Sequence, residues 1–314
     1  MLRGIVSVLC VTIAMSPARG PGAEPAPHSP PRDLRSSTGP LPFFYDLYTF
    51  RGHANSTTVV AAFAVPVGRL EKEAFDGGVR YRFDVTLVLA DTAQRSVFRT
   101  DDSVFVGLPR PLAGEHLLFT HLEVQAPPSG STLQRVIMSD ATTPGVGQLY
   151  GSSFPIPDYS GKHLMLSDIA LGQPGAEVGW KRGAATLALL PTSQFPASAF
   201  DVYYEIYNLP TGTPYVTEIA VEHADDAWVG DRRRVSTRFS GESAARADGT
   251  LPELRRVETS LANGRYRITV TIRDAVRGRT ASRSRVFEVN GWQRGATMVP
   301  AWPHGPRNLS VQSR

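Results

Sequence analysis

Apolar and polar residues alternate with a period of two in one short run after another along this chain, and no long run carries helical spacing. The clearest run is 266–273, where Tyr266, Ile268, Val270 and Ile272 alternate with Arg267, Thr269, Thr271 and Arg273, as in a strand with one buried face. Just before it, Leu261-Ala262-Asn263-Gly264-Arg265-Tyr266 sets an Asn-Gly turn and a Tyr where a β-sandwich places its tyrosine corner. Gly264 and Tyr266 are therefore read as structural, the phenol bonding back to backbone while its ring enters the core. The return strand ends at Phe287 and Val289, which share a parity with Arg283 and Arg285. Either only its last residues face the core, or a bulge resets the alternation.

Runs of β-branched and aromatic residues predict further strands over 43–50, 57–65, 79–90, 94–100, 116–125, 132–139, 164–171, 199–209, 215–221 and 233–239. Clusters of Gly, Pro, Asn and Asp separate them, which indicates an all-β fold. A chain of 314 residues is longer than one sandwich needs. The two halves also echo each other: 112–124 lines up with 261–272 after one inserted residue, and a Gly-containing turn and a return strand follow each. The prediction is two tandem immunoglobulin-like antiparallel β-sandwiches, 43–176 and 184–290, divided near 176–183 and followed by an irregular tail over 291–314.

Ahead of the strands, 1–23 has an early Arg3, an apolar run to Met15 and then Ser16-Pro17-Ala18, the layout of a secretory signal peptide cleaved after Ala18 or Ala23. The run is too short to span a membrane stably. Val8-Leu9-Cys10 lacks the small residue before Cys that a lipoprotein signal needs. Residues 24–42 are rich in Pro, Gly, Ser and Arg without periodicity and read as a disordered linker. Cys10 is the only cysteine, so the processed chain holds neither a disulfide nor a thiolate metal site and relies on core burial. The expected location is secreted or periplasmic/cell envelope, with no transmembrane segment in the mature chain.

Three stretches together carry a resemblance: Met165-Leu-Ser-Asp-Ile-Ala-Leu171, Val202-Tyr-Tyr-Glu-Ile-Tyr-Asn-Leu209, and the hairpin from Leu261 through Gly264 and Tyr266 to Val289. Over about 43–290 the chain resembles the bacterial secreted GWxTD-domain-containing proteins. The Gly-Trp-x-Thr-Asp signature is absent, since Gly179-Trp180 and Gly291-Trp292 are both followed by residues other than Thr-Asp. The resemblance implies a fold and a compartment, and it carries no site residues across.

Chemistry is sparse. No nucleophile elbow, zinc helix, phosphate loop or dinucleotide fingerprint occurs. His116 and His121 lie five apart on a predicted strand and so face opposite sides, which separates them as metal ligands. Asp91, Asp101, Asp102, Asp225 and Asp226 fall in predicted loops, where Asp shapes turns. A calcium site at 101–102 or 225–226 needs further converging oxygens. Ser167-Asp168 reads as a polar pair at a strand bend rather than a nucleophile. No metal or other cofactor is expected.

Charge changes the picture more. The net charge is +4, and residues 184–314 hold seventeen Arg and no Lys against thirteen Asp and Glu. Arg265, Arg267 and Arg273 fall on the outer face of the predicted 266–273 strand, with Arg277, Arg279, Arg283 and Arg285 beyond it and Arg232 to Arg234 nearby. Such a face attracts an anionic polymer, or simply keeps an exposed sheet soluble and guards its edge. The expected function is a non-catalytic secreted or envelope protein whose sandwiches bind or brace an unknown protein or envelope component, with no nucleic acid. One alternative is an anionic-polysaccharide or surface-binding module using Arg265, Arg267, Arg273, Arg283 and Arg285. The other is a hydrolase with a loop-borne carboxylate site, which requires a polar cleft between the sandwiches.

Overall fold

The computed structural model describes residues 41–91, 96–143, 147–173, 179–192, 199–224, 233–289 and 299–300. In the first half the strands are β1 (Phe44–Arg51), β2 (Thr57–Pro66), β3 (Lys72–Phe75), β4 (Gly78–Asp91), β5 (Val97–Leu108), β6 (Leu117–Ala126), β7 (Ser129–Asp140) and β8 (Gly147–Ile156). The second half supplies β9 (Met165–Leu166), β10 (Ala170–Gln173), β11 (Trp180–Arg182), β12 (Ala185–Leu189), β13 (Phe200–Tyr207), β14 (Pro214–His223), β15 (Arg233–Glu242), β16 (Thr250–Val257), β17 (Gly264–Asp274), β18 (Thr280–Val289) and β19 (Val299–Pro300). The fold is all-β, built of several antiparallel sheets. Their orders are β1-β2-β6, with β19 added parallel to β6; β3-β4-β7-β8, with β5 also on β4; β11-β12-β10-β13-β16, with β9 also on β13; and β15-β14-β17-β18. Among the described residues the sole helical element is a 3-10 turn at Val67–Arg69, and no helix is long and apolar enough to cross a membrane.

Side-chain alternation explains which sheets lie outside. In β4, Tyr81, Phe83, Val85, Leu87 and Leu89 are buried while their neighbours are half-exposed, so that sheet has one wet face. β2 and β13 behave differently: every one of their residues is buried, because both faces of their sheets are covered. One face of the β2 sheet packs Leu47, Val59 and Phe63 against Phe83, Val85 and Met138 of the β4 sheet. Its other face sets Tyr48, Phe50, Val60 and Ala62 against Ala170, Trp180, Leu187, Leu189 and Tyr203 of the second half. The β13 sheet then packs Val202, Tyr204 and Ile206 onto Ile219, Ile268 and Val270 of the β17 sheet. At roughly 1.5–3 kcal/mol for each large side chain fully buried, the middle layer adds a substantial apolar contact between the halves, smaller than the core on either side of it.

Three sequence expectations change here. The run 164–171 is broken at Ser167–Ile169 into β9 and β10, and both pair with β13, so they join strands from beyond the expected division near 176–183. The echo between halves is present in topology but with other partners. The orders β5-β4-β7-β8 and β15-β14-β17-β18 correspond, as do β1-β2-β6 and β10-β13-β16. The counterpart of β17 is thus β7, whereas the aligned stretch 112–124 forms β6. After β6 the chain passes Pro127-Pro128, which offer no N–H to continue a ladder, and enters the opposite sheet. β17 and β18 instead form a hairpin, in register from Gly264 opposite Val289 to Arg273 opposite Thr280.

That unbroken register settles the parity question in an unexpected way. Arg283, Arg285 and Phe287 stand opposite Val270, Ile268 and Tyr266, so all three point to the inner face and no bulge intervenes. Tyr266 is 1% exposed, donates its phenol proton to the Ala262 carbonyl at 3.0 Å and stacks on Phe287, the geometry of a tyrosine corner. Gly264 opens β17 without a positive φ, and an added Cβ there meets nothing nearer than 3.6 Å, so the position does not demand glycine. Tyr266→Phe is expected to keep the fold and lose about 1–3 kcal/mol. Urea denaturation checks this, and an unchanged midpoint would show that the hydroxyl contributes nothing.

Candidate functional site at the seam between the halves

Among the described residues β1 pairs with β2 on one side only, and groups of the second half close its other edge. Arg285 Nη2 donates to the Leu47 carbonyl at 3.0 Å. Asp168 N donates to the Thr49 carbonyl at 3.0 Å, and Thr49 N returns a bond to Asp168 Oδ2, also at 3.0 Å. Arg51 N donates to the Tyr207 hydroxyl at 2.8 Å, and Arg182 Nη2 donates to the Arg51 carbonyl at 2.7 Å. An open strand edge leaves backbone groups unpaired and invites pairing with other chains. Here four side chains and the Asp168 backbone N–H take the place of a strand.

Two of those side chains belong to a buried ion network. Arg285 Nη1 lies 2.8 Å from Asp46 Oδ2 and Nη2 lies 3.4 Å from Asp168 Oδ2, with the guanidinium 4.3 Å over the Tyr48 ring. Arg283 Nε donates to Asp168 Oδ1 at 2.8 Å, and Thr192 Oγ1 donates to Asp46 Oδ2. Two carboxylates face two guanidiniums, so the network is balanced. Burial pushes the Asp168 carboxyl up, but Arg283 and Arg285 beside it more than reverse this and bring it down to about 2.

Beside this edge the two halves leave a cleft of about 470 Å³. It is walled by Arg51 and His53 from the β1–β2 hairpin, Glu123 and Gln125 from β6, Lys181 to Gly183 from the β11–β12 hairpin, and Arg246 and Asp248 from the turn before β16. Glu205 of β13, 1% exposed, lies at its base. Its Oε1 accepts from Arg182 Nε and Tyr203 OH at 2.8 Å each, and its Oε2 from Arg182 Nη2 at 2.9 Å and Tyr207 OH at 2.7 Å. Glu123 Oε2 accepts the Trp180 indole N–H at 3.0 Å. A second recess of about 290 Å³ shares Arg51, Gly52 and Ala54 and adds Tyr159 and Lys162.

Tight turns shape both rims. Ala54 and Asn55 stand at φ 49° and 61°, the left-handed pair that reverses the chain between β1 and β2. Gly183, at φ 62°, turns β11 into β12, and a Cβ there would lie 2.1 Å from Arg246 Nη2. Glycine thus serves both the turn and the space under that guanidinium. Among the described residues, the Lys181 ammonium and the Arg246 guanidinium have no hydrogen bond or ion pair.

The residues singled out in the sequence are placed unevenly. Arg267 and Arg273 are exposed and Arg265 is half-buried on the outer face of β17. Glu222 of β14 stands opposite Arg267, and Glu288 of β18 opposite Arg265, so charge of both signs covers that face. Arg283 and Arg285 are not part of it: their side chains are 11% and 5% exposed on the other side of the sheet. The five arginines therefore do not make one surface, because the strict alternation of β18 turns two of them inward. Asp101 and Asp102 sit within β5 rather than a loop, and Asp91 ends β4. Asp225, Asp226, Arg232 and Trp292 lie outside the described residues, as do the signal segment, the linker up to residue 40 and most of the tail; Leu41, within the expected disordered linker, is instead buried in the first core. Among the described residues no three His, Cys, Asp or Glu gather to hold a metal.

His116 Nδ1 meets the Ala113 carbonyl at 3.1 Å, and burial pushes the His121 imidazole down to about 4. Ser167 Oγ donates to the Asp168 carbonyl at 2.7 Å and accepts from Glu205 N at 2.8 Å, so the pair shapes the bend between β9 and β10. Gly179-Trp180, without Thr-Asp after it, anchors the seam instead: the indole stacks on Phe50 at 4.9 Å and meets Tyr203 edge-on at 5.4 Å. Sequence reasoning missed Glu205, Arg182, Lys181 and Arg246. One signal was available, an acid in the middle of the otherwise apolar and aromatic run Val202-Tyr-Tyr-Glu-Ile-Tyr207.

No family model matches the chain, and no curated protein matches it. Among solved structures, a β-glucuronidase from Bacteroides uniformis aligns over 76% of this chain and 26% of its own at 7% identity, with a TM-score of 0.28. A calcium-binding mutant of Bacteroides uniformis β-glucuronidase 2 aligns over 78% and 28% at 8% identity, with a TM-score of 0.29. Red sea bream transglutaminase aligns over 76% and 31% at 13% identity, with a TM-score of 0.21. The chain spans between a quarter and a third of the length of these proteins, and likenesses this slight assign it neither a family nor an activity.

Proposed function

We propose that this chain is a non-catalytic secreted or cell-envelope protein, two immunoglobulin-like sandwiches locked together so that they bind or brace a partner as one rigid body. The closure of the β1 edge by Arg182, Asp168, Tyr207 and Arg285 carries this reading. Separating the halves would bare those backbone groups and strand buried charges, so the relative position of the two sandwiches is fixed before any partner arrives. Hydrolysis is a poorer reading of the same cleft. Both oxygens of Glu205 are occupied by Arg182 and a tyrosine, Glu123 holds Trp180, and Asp248 Oδ1 accepts Thr250 N at 2.9 Å. A polyanion surface on β17 is also weakened, since glutamates interleave with Arg265 and Arg267 and two of the five arginines are withdrawn.

Calorimetry of the purified chain is expected to show a single cooperative transition, and two separate transitions, one per sandwich, would overturn the brace. The compartment is tested separately. Full-length chain expressed in a bacterial host should appear in the periplasm or medium with its N-terminus at Arg19 or Glu24 by mass spectrometry. Intact Met1 in the cytosol would remove the secreted reading. Cross-linking in envelope extracts should capture a partner, and repeated capture of none would overturn binding.

A further inference from the structure

We infer that the cleft between the halves is a binding site for a small hydroxyl-rich anion, an acidic monosaccharide or sugar phosphate, whose charged group is held between Lys181 and Arg246. This names the ligand class within the binding reading above and rests on it. The cleft's volume of about 470 Å³ lies in the range of about 300–1,000 Å³ common for small-molecule sites.

Charge pairing within the cleft is lopsided. Three carboxylates line it, yet Glu205 is taken by Arg182, Glu123 by Trp180 and one oxygen of Asp248 by backbone. Lys181 and Arg246 are left without a counter-charge, although arginines elsewhere in the fold, among them Arg238, Arg256 and Arg279, have carboxylates at 2.8–3.0 Å. Two cations without a counter-charge that share one concavity present a site for an external anion.

Composition points to the same place. The chain has 33 basic residues and only three are lysines, Lys72, Lys162 and Lys181. Lys181 lines the cleft and Lys162 the adjoining recess. A compact, rotatable ammonium receives an oxyanion from more directions than a planar guanidinium does. A preference for arginine across the sequence does not explain two of three lysines at one seam.

The rest of the lining fixes the remainder of the ligand. Neither phenyl, phenol nor indole faces line the cleft, so it has no platform for a nucleobase or other flat aromatic group. His53 and Asp248 provide groups suited to hydroxyls, while the Gln125 amide is engaged by Ser56 and Thr58. The site is also preformed: Gly183 leaves the space that the Arg246 guanidinium occupies, and the locked seam holds the opposing walls.

The test is calorimetric titration of the full chain with glucuronate, glucose 6-phosphate, inorganic phosphate and glucose, at constant ionic strength. Saturable binding is expected for at least one sugar anion, with none for glucose and weaker binding for inorganic phosphate. Lys181→Ala and Arg246→Ala should each weaken that binding at least about tenfold while leaving the ligand-free thermal midpoint in place. Absence of binding by every sugar anion overturns the inference, as does binding that neither variant disturbs. Phosphate bound as tightly as glucose 6-phosphate overturns the hydroxyl-rich part. Capture of an envelope partner by a chain that binds no sugar anion would remove this inference alone and leave the bracing function standing.

Discussion

Arg285→Ala is expected to lower the free energy of unfolding by about 3–5 kcal/mol, against no more than about 0.5 kcal/mol for Arg267→Ala on the outer face of β17. Among the described residues Arg285 is the one side chain that touches both Asp46 and Asp168, and it also caps the Leu47 carbonyl. Its loss leaves Asp46 buried with hydrogen bonds but no counter-charge, and opens the β1 edge at the point where the halves meet. Buried charges stripped of a partner cost far more than exposed ones, because water cannot return to solvate them. Urea denaturation of the two variants makes the comparison. A loss below about 1 kcal/mol for Arg285→Ala would mean that water reaches the network and that the halves are not locked by it. Replacing Asp46, Asp168, Arg283 and Arg285 together with apolar residues of similar volume should recover part of the loss, since the desolvation penalty goes with the charges.

The arginines also show where sequence pattern succeeds and where it stops. Alternation located β4 and β17 because each has one wet face. It missed β8, whose Gly-Gln-Leu-Tyr-Gly-Ser-Ser run has little apolar periodicity, and β16, where Pro252 argues against a strand. For β18 the parity was legible: Arg283 and Arg285 had to share a side with Phe287. What could not be read was that this side is covered at Arg283 and Arg285 as well as at Phe287, because the compensating carboxylates lie 239 and 115 residues away in sequence. The cleft has the same origin. Its walls come from β6, two hairpins, β13 and the turn before β16, and they converge only because the β2 and β13 sheets stack. In β13 every residue is buried, although Asp201 and Glu205 alternate with Phe200, Val202, Tyr204 and Ile206 as on a strand with one wet face.

Acidification is expected to destabilise the protein in two stages, the first of them set by His121. This residue lies on β6 with the parity of Phe119 and Glu123, and burial pushes its imidazole from 6.5 down to about 4. Between those values the unfolded chain binds a proton that the folded chain refuses, so stability falls as pH drops through that window. At about 1.4 kcal/mol per pH unit of separation, the loss approaches about 3 kcal/mol by pH 4. The second stage belongs to Asp168, whose carboxyl is held at about 2 against an ordinary 3.8. Its contribution is fully present above pH 3.8 and is lost as pH falls towards 2, removing about 2 kcal/mol more. Asp274, which accepts the Arg277 backbone N–H, and Glu73 beside Arg80 are lowered as well and act in the same direction as Asp168. Unfolding free energies measured in urea at pH 8, 6, 4.5 and 3 should trace both limbs. His121→Phe should flatten the limb between pH 6.5 and 4 and leave the more acid limb unchanged. A wild-type stability that stays constant from pH 7 to 4 would show that the imidazole titrates freely in the folded protein and that the seam is open to water there.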